Sequence, residues 1–302
     1  MLWILLIILS TLIFAGCNLF DKFILEKRLQ QNFWVYFVFG GFIWLILGLI
    51  IALFSSPFHY PLLIILLSIL SGLLMGLNWL LFYKAITHEE VSRVISLIYL
   101  FPIFVAIAAK FLLNEKIIFI KWIAIVLAIV GAILISIKKD EVKKSFRLSP
   151  AFFYVIIIAT LSEPAVEIID KYVLTSVSPW HLLSLNTMGF ALIALVFFAI
   201  SKTIRHNIVK LIFNSKNFLL VGGAHLIYLL GNLIFLMAAA LAQITYVAAI
   251  SAVQPVFVFI LTVISSLATP QLLKESLDKR TLIIKIVSIL LVVSSVLIII
   301  LF

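Results

Sequence analysis

The most constraining feature of this sequence is the stretch from residue 217 to residue 273, which contains no lysine, arginine, aspartate or glutamate. One membrane-spanning helix needs only about 20 apolar residues, so the stretch must hold more than one span, and we predict a turn near Ala242-Gln243-Ile244-Thr245. Over the 302 residues, 65% are hydrophobic and 11% are charged, whereas soluble domains carry about 25% charged residues. The chain is therefore predicted to be an all-α integral membrane protein, with no room for a soluble catalytic or nucleic-acid-binding domain.

Charged residues and helix breakers divide the whole chain into ten apolar segments. The predicted spans are residues 2–20, 33–55, 61–83, 92–112, 119–137, 150–171, 179–200, 217–241, 244–267 and 282–302. A basic connector from Lys138 to Arg147 separates the fifth span from the sixth, which Ser149-Pro150 opens as an N-cap followed by proline. The net charge is +10. The basic residues responsible for it lie between the spans and are interpreted as a topology signal, so no nucleic-acid partner is predicted.

The distribution of basic residues predicts the orientation. The connectors on one side hold 18 of the 22 lysine and arginine residues, and the other side holds Lys110, Lys116, Lys121 and Lys171. Because cytoplasmic connectors are enriched in lysine and arginine, both termini are expected outside the cytoplasm, in a multi-pass protein of the cell membrane.

The single cysteine, Cys17, excludes an internal disulfide and a cysteine zinc cluster. Phe14-Ala15-Gly16-Cys17 resembles a lipoprotein cleavage site, but residues 1 to 20 contain no lysine or arginine, so we expect this segment to be an integral helix. His88-Glu89-Glu90 resembles the start of a metalloprotease motif, but position 92 is serine. No metal, cofactor or enzymatic activity is predicted.

The two halves of the sequence resemble each other. Three sets of residues recur in the same order: Thr11-Leu12 and Asp21-Lys22-Phe23 with Thr160-Leu161 and Asp170-Lys171-Tyr172, Pro102-Ile103-Phe104 with Pro255-Val256-Phe257, and Leu112-Leu113-Asn114-Glu115 with Leu272-Leu273-Lys274-Glu275. We therefore predict two five-helix repeats, residues 1–140 and 141–302. Because five is odd, the second repeat enters the membrane inverted, which is typical of secondary transporters with a central site between the halves.

The motifs of the first half resemble those of the drug/metabolite transporter superfamily, in its EamA-like ten-helix branch. They are Tyr83-Lys84-Ala85, Ser96, Pro102-Ile103-Phe104, Leu112-Leu113-Asn114-Glu115 and Trp122 before Gly131. The resemblance implies ten helices around a cavity formed mainly by helices 1, 3, 4, 6, 8 and 9, alternating access, and substrates such as amino acids and other small metabolites. The family usually places glycine before each repeated glutamate. Asn114 and Lys274 stand there instead, so a different helix-ending geometry is expected. Relatives are also often drawn with their termini inside the cell.

Glu163 is the most informative polar residue. Its helix starts at Pro150, so Glu163 lies roughly 20 Å into a bilayer core of about 30 Å, where an acidic side chain costs about 2.5–3.5 kcal/mol. A carboxyl group at that depth can bind a proton or, together with Glu167 one turn later, a substrate amine. Glu167 could alternatively form an interfacial ion pair with Lys171, four residues on. Pro164 is expected to kink this helix.

Further polar residues lie on the helices that the resemblance places around the cavity. The candidate binding residues are Glu163, Glu167, Asn18, Asn78, Ser96, Tyr99, Tyr228, Asn232, Ser251 and Gln254, and the candidate hinges are Pro102, Pro164 and Pro255. Asn18 is the counterpart of Glu167 in the first half. The alternative for each polar residue is an interhelical hydrogen bond worth about 0.6 kcal/mol. Asp21 and Asp170 are expected at the membrane interface, and Trp79 and Trp122 in lipid or packing contacts.

These features predict a secondary transporter that moves a small polar metabolite through the bilayer by alternating access, driven by a proton or solute gradient. Its expected partners are a small-molecule substrate and the lipid bilayer, and a monomer would suffice. A flippase for a lipid-linked sugar is the main alternative, but it would need a basic cavity. A channel would lack proton coupling, and a membrane enzyme would release an altered product.

Overall fold

The computed structural model describes residues 1–55, 57–89, 91–135, 150–268 and 279–301. The basic connector from Lys138 to Arg147, the Ser149 cap and the repeated motif ending in Lys274-Glu275 lie outside the described residues, as does the side chain of Ser96. The described chain is helical, and its elements follow the apolar segments of the sequence. Their bounds are α1 Leu2–Lys27, α2 Phe33–Ser55, α3 Leu62–His88, α4 Val91–Ile98, α5 Phe101–Leu112, α6 Phe119–Ile135, α7 Pro150–Ile157, α8 Glu163–Val173, α9 Pro179–Ile200, α10 Lys202–Phe213, α11 Ser215–Leu241, α12 Ile244–Ser251, α13 Gln254–Ala268 and α14 Lys279–Leu301.

Six stretches in the described part of the chain are long and apolar enough to cross a membrane. They are α1, α2, α3, α9, α11 and the run Ile244–Ser265, which covers α12 and most of α13. Shorter apolar helices occur at Phe101–Leu112, Phe119–Gly131 and Ile286–Leu301. The turn predicted within the uncharged stretch lies where expected, because α11 ends at Leu241 and α12 begins at Ile244.

Two features differ from the expected helix boundaries. The connector after residue 200 contains the helix α10, which Ser201 caps by accepting the Ile204 N–H at 3.3 Å. Helix α1 continues to Lys27, beyond the predicted end at residue 20. It can do so because Asp21 and Lys22 are buried and hydrogen-bonded within the protein.

Three helices are interrupted inside the bundle. α4 and α5 are separated by a turn at Tyr99 and Leu100, and Pro102 is the second residue of α5. α12 and α13 are separated in the same way, with Pro255 as the second residue of α13. Between α7 and α8 the chain forms a π-helical turn at Ile158–Ser162, in which the Glu163 N–H bonds to the Ile158 carbonyl. Proline and π turns both create local breaks of this kind.

Charged side chains satisfy the ends of broken or terminating helices. The Lys22 ammonium donates to the carbonyl oxygens of Ile86 at 2.5 Å and Glu89 at 3.1 Å, at the end of α3. Lys171 does the same at the end of α11, where it donates to Ala239 at 2.7 Å and Ala242 at 2.6 Å. Terminal helix carbonyls lack partners within their own helix, so a lysine there supplies both hydrogen bonds and a favourable charge.

Glu115 caps the start of α12 at the break between α11 and α12. Its carboxylate accepts the N–H of Ile244 at 2.8 Å and that of Thr245 at 3.2 Å, at the start of α12. Asn114, just before it, has a φ of 54°, and the Glu115 N–H reaches back to the Ala109 carbonyl at 3.2 Å. Asparagine tolerates the left-handed region better than most residues. Asn114 thus takes up a turn of the kind for which glycine is favoured, so the different geometry expected here does not arise.

Close packing joins α3 to α9. A Cβ atom placed on Gly72 would collide with the Asn186 backbone, and one on Gly189 would collide with the Ile69 carbonyl. Small residues allow such backbone approach between membrane helices, where dispersion contacts and hydrogen bonds hold helices together. This contact fixes α9 beside α3, and Asn186 of α9 then reaches Asp170 of α8 at 3.1 Å.

Candidate functional site

A cavity of about 140 Å³ lies inside the bundle. All nine polar residues named in the sequence as binding candidates and described with their side chains line it: Asn18, Asn78, Tyr99, Glu163, Glu167, Tyr228, Asn232, Ser251 and Gln254. They come from α1, α3, α8, α11, α12 and α13 and the turn after α4. Residues far apart in the sequence are thus brought together around one space.

Glu163 is held by a chain of hydrogen bonds. The Asn78 amide donates to the Glu163 carboxylate at 2.5 Å, and the Ser162 hydroxyl donates to the Asn78 amide oxygen. The π turn ends at Ser162, so it places Ser162 and Glu163 together against α3. Asn78 therefore orients one Glu163 oxygen and leaves the carboxyl group able to meet a ligand in the cavity.

Glu167 lies one turn further along α8 and is 2% exposed. Its Oε2 atom has no hydrogen-bond partner among the residues that the structure describes. The ion pair with Lys171 that the spacing allows is not formed, because Lys171 donates to the end of α11 instead. A buried carboxylate oxygen without a donor is costly, so Glu167 is suited to bind a cationic group or a proton.

Asp170, predicted at the membrane interface from its helix-end position, is also part of the cavity wall. It is 4% exposed and accepts hydrogen bonds from Ser71 at 2.5 Å and from Asn186 at 3.1 and 3.2 Å. Asp21, for which the same position is predicted, is also buried within the protein, since it is 0% exposed and accepts from the Tyr36 hydroxyl. Helix-end spacing alone could not show that neighbouring helices extend past these residues.

The other polar residues of the lining are neutral. The Tyr99 hydroxyl donates to the Gln254 side-chain oxygen at 2.5 Å and thus joins the breaks of the two proline-containing helices. Tyr228 donates to the Asn18 side-chain oxygen. Ser251 donates to the Ala248 carbonyl of its own helix at 2.7 Å. These bonds order the wall, and they are also groups that a bound polar solute could engage.

Aromatic side chains form much of the remaining lining. They are Phe14, Trp44, Trp79, Phe82, Tyr99, Phe101, Tyr228 and Phe235. The Trp79 and Tyr228 rings meet edge to face, with centroids 4.3 Å apart. The interpretation of Trp79 as a lipid or packing contact is therefore incomplete, because it also lines the cavity. Sequence reasoning missed Trp44, Ser162 and Asp170 as well. Two of these residues could have been found from the sequence, because Trp79 is adjacent to Asn78 and Ser162 is adjacent to Glu163.

The charges around the cavity are of one sign. Glu163, Glu167 and Asp170 contribute carboxyl groups, and none of the described lining residues is lysine, arginine or histidine. Carboxylates and aromatic faces both attract cations. The cavity is therefore suited to a positively charged or amine-bearing group and is poorly suited to an isolated anion.

The fold is shared with proteins of known structure. Among 21 similar chains of solved structures, one described as "Crystal structure of protein" has a TM-score of 0.64 and 11% sequence identity, with 98% of this chain and 94% of that chain covered. At this identity the likeness concerns the fold alone. No curated protein sequence matches the chain.

The first half of the sequence is similar to a known family. The model of the family described as "EamA-like transporter family" matches residues 1–137, the half that carries the Pro102 motif and Asn114-Glu115. The match agrees with the apolar helices of membrane-spanning length. The chain is therefore a multi-pass membrane protein whose residues 1–137 are similar to the EamA-like transporter family, the family that its motifs resemble.

Proposed function

We propose that this protein is a secondary active transporter that moves a small polar, amine-bearing metabolite, such as an amino acid or related compound, by alternating access. The observation that carries the proposal is the cavity with three carboxyl side chains, aromatic walls and no basic lining residue in the described chain. Such a site recognises a protonated amine through charge and cation–π attraction. The transported molecule leaves chemically unchanged, so no catalytic residue, cofactor or metal is required.

The proposed architecture has ten membrane crossings in two inverted repeats, residues 1–140 and 141–302. Three of the crossings would each consist of two consecutive shorter helices separated by a break. These pairs are α4 with α5, α7 with α8, and α12 with α13. α10 would connect two crossings and would not itself span the membrane. Two equivalences support the repeat: Lys22 and Lys171 each bind the carbonyl end of a helix, and Pro102 and Pro255 each follow a helix break.

Alternating access needs flexible points between the halves. We assign that role to the breaks at Pro102, Pro164 and Pro255, which interrupt three helices that contribute cavity residues. Discontinuous helices at the repeat interface are a common feature of secondary transporters. Rocking about these points would expose Glu163 and Glu167 to one aqueous side at a time. The protein is proposed to lie in the cell membrane with both termini outside the cytoplasm, because the connectors on the side opposite the termini hold 18 of the basic residues.

Uptake into proteoliposomes tests the proposal. The purified chain is screened with labelled amines and amino acids, with and without an imposed pH gradient. Wild type is compared with Glu163→Gln and with Glu26→Gln, a matched loss of a carboxylate at the partly exposed end of α1. We expect saturable uptake in wild type and Glu26→Gln and its loss in Glu163→Gln. Uptake unaffected by Glu163→Gln would contradict the role of Glu163. Absence of uptake for every soluble solute would instead favour the lipid-linked substrate.

A further inference from the structure

A further buried acidic group, in the first half of the chain, is not among the residues that line the cavity. Asp21 on α1 is 0% exposed. One of its oxygens accepts from the Tyr36 hydroxyl, and the other, Oδ2, has no hydrogen-bond partner within the described residues. Polar groups buried without partners are rare in folded proteins and require an explanation.

The groups that face Asp21 do not neutralise its charge. They are Cys17 on the same helix, Tyr36 on α2, Tyr83 on α3 and Tyr228 on α11. Lys22, the next residue, donates to the end of α3 and pairs with Glu26 at 2.9 Å. His225 of α11 packs against the Tyr36 ring, with centroids 4.8 Å apart, and both its ring nitrogens lack hydrogen-bond partners in the described chain. α13, which also packs on α1, contains no titratable side chain.

The equivalent aspartate of the second half provides an internal comparison. Asp170 accepts hydrogen bonds on both oxygens, from Ser71 and Asn186. Asp21 accepts from the Tyr36 hydroxyl on one oxygen, the Tyr228 hydroxyl also lies near its carboxyl group, and Oδ2 has no hydrogen-bond partner within the described residues. A buried carboxylate whose two oxygens both accept hydrogen bonds retains its charge more readily, whereas one with an unpartnered oxygen is better accommodated with a bound cation or proton. The two aspartates occupy corresponding positions but have different chemical environments.

Asp21 is connected to the cavity by polar groups. Asn18 lies one turn before it on α1, so both point to the same side of the helix. Asn18 and Tyr228 line the cavity, and the Tyr228 hydroxyl donates to Asn18. The Asn18 amide nitrogen is itself buried without an acceptor in the described chain. A proton on Asp21 Oδ2 therefore has hydroxyl and amide groups between it and the water that enters the cavity.

We propose that Asp21 is the proton-binding site of the transport cycle, separate from the Glu163 and Glu167 carboxylates that bind the substrate amine. This inference rests on the proposed transport function. The proton binds Oδ2 as an O–H group when the cavity opens to the side of higher proton concentration, and it leaves to water when the cavity opens to the other side. No other bond is made or broken. The first half would then carry the coupling proton, and the second half would carry the carboxyl groups that bind the substrate amine.

Carbodiimide labelling tests the site without requiring transport. Dicyclohexylcarbodiimide reacts with protonated carboxyl groups in apolar surroundings, and Asp21 is the single carboxyl side chain in the tryptic peptide of residues 1–22. We expect its modification to increase as the pH is lowered, to exceed that of Asp170 at each pH, and to disappear in Asp21→Asn. Labelling of Asp21 no greater than that of Asp170, or independent of pH, would overturn the proposal. Protection by sodium at constant pH would also overturn it, in favour of a sodium site.

Transport provides the second measurement. In proteoliposomes, an inward proton gradient should stimulate wild-type uptake, and Asp21→Asn should lose that stimulation. Glu26→Gln, on the same helix, should keep it. Stimulation that persists in Asp21→Asn would contradict the assignment. If wild type transports no solute, the proposed function fails, while the labelling result still decides whether Asp21 binds a proton.

Discussion

The break between α11 and α12 is predicted to depend on one anion and one cation from elsewhere in the chain. Glu115 accepts the first N–H groups of α12, and Lys171 donates to the last carbonyl groups of α11. Lys171 also interacts electrostatically with Glu115. We call Glu115 and Lys171 the α11–α12 clamp. The perturbation is to remove each charge while keeping the side-chain size, with Glu115→Gln, Lys171→Met and the double variant.

The expected cost follows from these contacts. Glu115 is 9% exposed, and a hydrogen bond to a charged group contributes about 1.5–3 kcal/mol. Glutamine keeps one acceptor oxygen but presents an N–H₂ group to the second backbone N–H. One bond and the charge at the helix N-terminus are therefore lost, so we expect Glu115→Gln to cost about 2–3 kcal/mol. Lys171→Met should cost about 2 kcal/mol, because two carbonyl groups lose their donor.

Thermal unfolding in detergent can measure the cost, because the chain supplies its own reporter. Cys17 is the single cysteine and is 5% exposed, so a thiol-reactive fluorophore responds when α1 separates from the bundle. A loss of about 2 kcal/mol lowers Tm by roughly 4–8 °C in a chain of about 150–250 residues, and by less in a longer one. Lys202→Met is the control, because Lys202 is an exposed lysine on α10, outside the two helices of the break.

The double variant tests whether the two charges act as one unit. If they do, it should cost less than the two single variants together, by about 0.5–3 kcal/mol. Additive losses would show that the two ends of the break are stabilised independently. A Tm for Glu115→Gln equal to that of wild type would refute the reasoning, since the carboxylate would then contribute nothing to the start of α12.

Three further predictions use the same Tm assay or uptake. Asn114→Val should lower Tm, because the left-handed conformation costs other residues about 1–2 kcal/mol, and Asn114→Gly should not; equal Tm values would contradict the role of this turn. Gly72→Ala should destabilise the contact with α9 by about 1–3 kcal/mol. Gly223→Ala is the control, because nothing lies within 4 Å of the added carbon, and it should leave Tm unchanged. Equal Tm values for the two variants would contradict this prediction. Trp79→Leu should weaken binding of an amine substrate by about 1 kcal/mol, roughly fivefold, seen as an increased KM; an unchanged KM would exclude Trp79 from recognition.

Much of the candidate site could be predicted because polar residues are rare in this chain. Only 11% of residues are charged, so each polar group within an apolar span is costly and must have a specific place. This reasoning identified Glu163, Glu167 and the neutral polar residues that the structure places around one cavity. Their transport role stays a prediction. The aromatic lining could not be predicted in the same way, because an aromatic residue is stable in lipid, in the core or in a cavity wall.

Helix ends and partners were less predictable. Asp21 and Asp170 follow apolar runs, and sequence reasoning placed them at the interface. The structure buries them, because donors from α2, α3 and α9 reach them. Likewise, the spacing of Glu167 and Lys171 permits an ion pair, but the free carbonyl groups of α11 are the partners that Lys171 finds. Such choices depend on which helices are neighbours, and local spacing does not contain that information.

The sequence by itself therefore determined the membrane environment, the apolar helices and the resemblance of the first half to a transporter family. Apolar segments must leave water, a chain with uncharged stretches of this length requires a bilayer, and the Pro102 and Glu115 motifs carry the family resemblance. Only the tertiary structure decided which polar groups share a hydrogen bond, and so which carboxyl oxygens remain without one. Glu163, Glu167, Asp170 and Asp21 are all acidic residues within apolar surroundings. Their different environments arise from donors on other helices, which come together only when the bundle packs.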